Sequence, residues 1–132
     1  MAGAANPWHG SAMTANRHLI VFAAANGAMA VMLGAFAAHG AGPAVKTLLT
    51  TGAQYQMVHA VLAVACALWA GGGRLARIAG WLVSAGGLGF SLALSMIALM
   101  SLPAMGMVAP VGGVLMIAGW VVLLFAALRG DG

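Results

Sequence analysis

The stretch His18-LIVFAAANGAMAVMLGAFA-Ala38 contains no charged side chain and runs for 21 residues. A helix needs roughly 20 such residues to cross ~30 Å of hydrocarbon. Three further apolar runs follow, at about Ala53–Ala70, Ile78–Met100 and Val108–Leu128. None alternates with a period of two, so a membrane barrel is excluded and helix is expected throughout. Breaks fall at His39-Gly-Ala-Gly-Pro43, at Gly71-Gly72-Gly73 and between Pro103 and Pro110. The expected fold class is all-α, an integral membrane bundle of four transmembrane helices within residues 18–128. Residues 1–17 and 129–132 are expected to form tails on the cytoplasmic side.

The rest of the composition agrees. Of 132 residues, 64% are apolar and 5% charged, and mean hydropathy is +1.06. A soluble domain carries about 25% charged residues. The only acid is Asp131, so no carboxylate pair is available for glycoside hydrolysis and no Ser-His-Asp set can be assembled. One cysteine, Cys66, excludes an internal disulfide and a thiol-pair redox motif. There is no P-loop. No enzyme activity and no cofactor are expected.

Orientation follows from the basic residues. With four crossings, Arg17, Arg74, Arg77 and Arg129 share one face and Lys46 alone lies on the other. The Lys/Arg excess stays cytoplasmic, which predicts both termini inside a bacterial plasma or inner membrane. Trp69 and Trp81 fall at the inner headgroup level, and Tyr55 is expected near the outer one. Trp120 is the exception, about 12 Å inside the inner end. Trp8, His9 and His18 are expected at the inner interface. Arg17 and Ala35-Phe36-Ala37 imitate a secretory signal, but the first run exceeds the 7–15 residues of a signal core, so its retention is expected. The four arginines suit topology and contact with anionic lipid. Five scattered basic residues make nucleic acid a poor partner.

Small residues let membrane helices approach closely. Ala23, Ala30 and Ala37 recur every seven residues, as do Gly27 and Gly34. Gly80, Ser84, Gly87, Ser91 and Ser95 make a small face on the third helix, and Gly112 and Gly119 are one heptad apart on the fourth. A left-handed bundle is expected, with Asn26 and Ser84 at matching depth and bonded across an interface. Gly27, Gly34 and Gly87 are the positions expected to tolerate bulk least. The same small faces suit self-association or attachment to a larger membrane complex.

Polar residues concentrate between His39 and His59. The segment after Pro43 is expected to extend the second helix outward, with Pro43 at its start. His39, Gln54, Tyr55, Gln56 and His59 then form a candidate outer cluster in which the two histidines approach each other. Three roles are open to it. They are hydrogen bonding that ties the helix ends down, soft-metal binding with Met57, Met96, Met100, Met105 and Met107, and holding the head of a quinone or lipid. His59 and Cys66 are about 10.5 Å apart along one helix and do not share a metal.

Gly34-Ala-Phe-Ala-Ala-His39-Gly40, Thr51-Gly-Ala-Gln-Tyr-Gln-Met-Val-His59-Ala60, Ala109-Pro-Val-Gly-Gly113 and Ala118-Gly-Trp120 resemble the small inner-membrane proteins of the YgdD type. Their eukaryotic branch is called transmembrane protein 256-like. The resemblance covers roughly residues 17 to 128. It implies a multi-pass membrane protein of uncharacterised activity and carries over no catalytic residue. The expected function is therefore that of a structural or accessory membrane component, with metal or quinone binding by the outer cluster as the alternative.

Overall fold

The computed structural model describes residues 11–130. Most of the expected N-terminal tail, including Trp8 and His9, lies outside these residues, as does Asp131. Four long helices follow in order: α1 Ser11–His39, α2 Pro43–Leu68, α3 Gly73–Met100 and α4 Ala109–Arg129. Short 3-10 turns at Ala70–Gly72 and Pro103–Met107 precede α3 and α4. Among the described residues there is no strand.

The punctuation works as its chemistry dictates. Pro43 opens α2, where a missing N–H costs nothing, and Pro110 does the same for α4. Gly73 takes φ 60°, ψ −148°, a region essentially closed to residues with a Cβ, and this turns the chain from the 3-10 turn into α3. Ser101 adopts the left-handed conformation at the end of α3, and its N–H returns to the Met96 carbonyl. Three helices start earlier than their apolar runs, α3 by five residues, at Gly73 against Ile78. α1 begins seven residues before His18, and α2 begins ten before Ala53, because no proline follows Pro43 in this segment.

Each helix packs on the next in sequence, α1 on α2, α2 on α3 and α3 on α4, and α1 also touches α3. The core is built from small residues. Ala23, Ala30 and Ala37 on α1 are all buried, the heptad stripe facing α2. Leu19, Ala23, Ala63, Ala67 and Val83 form one apolar cluster, toward the end that carries the α2–α3 turn. Ala93, Leu94 and Ala109 form a second toward the opposite end. Between them lies a band of buried polar residues: Asn26, Gln56, His59, Ser84 and Ser91.

The outward faces carry large apolar side chains, among them Val31, Met32, Val61, Val114, Ile117 and Leu124, all more than half exposed. This is the pattern of a bundle solvated by lipid. The stretches Asn16–His39, Ala70–Met100 and Pro103–Arg129 are long and apolar enough to cross a membrane. α2 is comparably long, with 26 residues, but Gln54, Tyr55, Gln56 and His59 lower its hydropathy.

Candidate functional site

The buried polar band is the candidate site, and three helices build it. Asn26 of α1 donates from Nδ2 to the Phe22 carbonyl one turn back at 3.2 Å. That bond orients its amide, so Oδ1 faces α2 and accepts from Gln56 Nε2 at 2.8 Å. The alignment differs from the one expected. Asn26 bonds to Gln56, whereas Ser84 turns its hydroxyl to its own helix, at the Gly80 and Trp81 carbonyls. A serine hydroxyl is too short to cross between these backbones when its own i−4 carbonyl lies 2.7 Å away.

His59 sits one turn beyond Tyr55 on α2 and is held at both nitrogens. Nδ1 lies 2.7 Å from the Tyr55 carbonyl, which can only accept. Nε2 lies 3.1 Å from the indole N–H of Trp120 on α4, which can only donate. The two neighbours together select the neutral tautomer protonated at Nδ1. The rings support the bonds: His59 meets Trp120 edge-on at 6.1 Å and lies nearly parallel to Tyr55 at 6.2 Å. Tyr55 in turn meets Phe90 of α3 at 5.2 Å. Trp120 was the tryptophan out of place in the interfacial pattern. Its partner explains its depth, and its inward displacement along α4 was the available signal.

The five residues of the expected outer cluster do not gather at one place. Gln56 and His59 are buried, Gln54 and Tyr55 face outward from the same helix, and His39 is exposed at the end of α1. Gly27 faces Ala60 across the α1–α2 contact, so His39, twelve residues further along α1, lies about 18 Å from His59 along the axis. The histidines do not approach each other, and Tyr55 sits in mid-helix instead of at the outer interface. The reason is that α2 runs unbroken from Pro43, which pushes residues 54–59 deep into the bundle. Among the described residues no three His, Cys, Asp or Glu side chains are grouped to hold a metal. Among the described residues, two buried polar atoms lack partners, Gln56 Oε1 and Ser91 Oγ.

Glycines set how closely the helices approach this band. Gly86 and Gly112 touch across α3–α4: a Cβ on Gly112 would stand 2.6 Å from Phe90 N and 2.7 Å from the Gly86 carbonyl. Gly119 packs on Val83 and Gly80 on Leu19. A Cβ on Gly87 would stand 3.3 Å from that of His59, and Gly52 faces Ser91. A Cβ on Gly27 or Gly34 would meet only an alanine methyl at 3.9 to 4.0 Å. Gly86 and Gly52 were not legible as contacts, since neither keeps the spacing of its neighbours. The four arginines, Arg17, Arg74, Arg77 and Arg129, all lie at the end of the bundle that carries the α2–α3 turn, and all but the half-buried Arg77 are exposed. Cys66 is buried against Gly80.

Residues 33–113 match the family described as "Protein of unknown function (DUF423)". A UPF0382 membrane protein of Staphylococcus aureus is 33% identical over 115 residues, covering 83% of this chain and 94% of the relative. One from Staphylococcus epidermidis is 36% identical with the same coverage. The UPF0382 membrane protein YwdK of Bacillus subtilis is 35% identical over 118 residues, covering 83% of this chain and 95% of its own. No solved structure matches the chain.

Proposed function

The chain belongs to the DUF423 family, that of the UPF0382 membrane proteins, and from that premise we propose that it is a non-enzymatic structural or accessory component of a bacterial membrane. We place it, within that family, beside the YgdD-type proteins. In this proposal all four helices span the bilayer, with both termini inside, and the exposed apolar faces meet lipid, a second copy or the subunits of a larger complex.

One observation carries the proposal. His59, the most chemically capable side chain within the bundle, has both ring nitrogens engaged, by Tyr55 of its own helix and Trp120 of α4. With Asn26 and Gln56, it acts as a fastener between helices. Hydrogen bonds of this kind matter in lipid, where no hydrophobic force drives helices together. They also account for the polarity of α2. Gln56 and His59 are 1% and 5% exposed, so these two polar side chains of α2 do not contact lipid. The excess of Arg17, Arg74, Arg77 and Arg129 over Lys46 supports the orientation.

A second reading, binding of a quinone head, is favoured by Gln54, Tyr55 and Val58, which line a shallow lipid-facing cleft of about 130 Å³. Mild-detergent purification from native membranes separates the two. The structural reading expects self-association or a stoichiometric protein companion. A single isolated chain carrying quinone or metal in near-equimolar amount contradicts it.

A further inference from the structure

The cleft at the end of the bundle lies away from the buried polar band and encloses about 460 Å³. Its walls come from two places distant in sequence. Gly71, Gly73 and Arg74 enter from the turn into α3, and Ala126, Arg129 and Gly130 from the last turn of α4. We propose that this cleft binds the phosphate of an anionic phospholipid headgroup, held between the guanidinium groups of Arg74 and Arg129.

The chemistry is specific to the cleft. Arg74 and Arg129 both line the cleft, and guanidinium forks suit the oxygens of a phosphate diester, which accepts paired N–H bonds. Glycines at 71 and 73 leave the backbone bare beside the charge. The start of α3 has no side-chain cap, so its first N–H groups are left to donate to a bound anion. Leu75 and Ala126 supply an apolar wall next to the arginines, which suits a glycerol backbone and the first methylenes of an acyl chain.

Depth argues for lipid over free phosphate. Trp69 ends α2 at the edge of this turn and Trp81 lies two turns into α3, and both are more than one-third exposed. Indoles exposed on a membrane helix settle at the headgroup level. The cleft adjoins Trp69 and is therefore at phosphate depth.

The test uses the full chain in neutral detergent, delipidated and then titrated with phosphatidylglycerol or phosphatidylcholine, with retained lipid counted by native mass spectrometry. The wild type is expected to retain one phosphatidylglycerol and to prefer it over phosphatidylcholine. Retention should fall roughly tenfold or more in R74Q/R129Q, as expected when two charge-assisted bonds are lost. R17Q/R77Q removes two charges from the same end outside the cleft and should retain the lipid. Gly71→Phe fills the cleft without changing charge and should lose it. Equal retention in R74Q/R129Q and R17Q/R77Q, or wild-type retention by Gly71→Phe, overturns the proposal. Binding of inorganic phosphate without phosphatidylglycerol overturns the assignment to lipid.

Discussion

Trp120 on α4 donates its indole N–H to Nε2 of His59 on α2 across 3.1 Å, two elements that otherwise make little contact. α3 lies between their neighbours in sequence, so this bond ties the far end of the row of helices back to its middle. It also decides the state of the imidazole. The acceptor role at Nε2 and the carbonyl beside Nδ1 leave one proton, on Nδ1. Nitrogen NMR of histidine-labelled protein in micelles is expected to show His59 as the neutral Nδ1–H tautomer, and Trp120→Phe should remove that restriction. An Nε2–H tautomer in the wild type contradicts the assignment.

The Asn26–Gln56 pair should show the asymmetry of buried hydrogen bonds. Removing one partner leaves the other unsatisfied and costs about 1 to 3 kcal/mol, whereas removing both is milder. The double variant Asn26→Leu/Gln56→Leu is expected to destabilise the bundle by less than the sum of the losses of the two single variants. Unfolding titrations in bicelles check this. Additive losses would mean that the two amides act separately.

Glycine substitutions should rank by the space that awaits a Cβ. Gly112→Ala drives a methyl against Phe90 N and the Gly86 carbonyl, both backbone atoms that cannot swing aside. Overpacking of this kind costs about 1 to 3 kcal/mol. Gly113→Ala meets nothing within 4 Å, and Gly27→Ala only the Ala60 methyl at 4.0 Å. These two are expected to remain within about 0.5 kcal/mol of wild type. Thermal melting in detergent gives the order, and equal effects at Gly112 and Gly113 would refute the close α3–α4 approach.

Topology is tested with reporters at Gly132 and in the Gly40–Gly42 connection between α1 and α2. A fluorescent reporter at Gly132 should be active and an exported phosphatase inactive, with the opposite result at Gly40–Gly42. An exported C-terminus contradicts four crossings with both termini inside.

Much of this architecture is legible in the residues alone. The apolar runs locate α1, α3 and α4, Pro43 marks the start of α2, and the seven-residue recurrence of Ala23, Ala30 and Ala37 picks out the buried face of α1. The site was less legible, because partners across helices depend on axial register, which local pattern does not encode. His39 and His59 are close in the polar segment of sequence, yet an unbroken α2 carries them about 18 Å apart. Asn26 shares a depth with several polar groups, and only the α1–α2 contact at Gly27 and Ala60 selects Gln56. Likewise Gly86 is one of many glycines until α4 lies against it.

The most direct test of the central claim is a double-mutant cycle between His59→Ala and Trp120→Phe, read as unfolding free energy in bicelles. If the buried polar residues fasten helices, the pair should be coupled by about 0.6 to 1.7 kcal/mol, the range for hydrogen bonds between membrane helices. No coupling, with a bound quinone or metal lost on His59→Ala, would contradict the account and make His59 a ligand-binding residue.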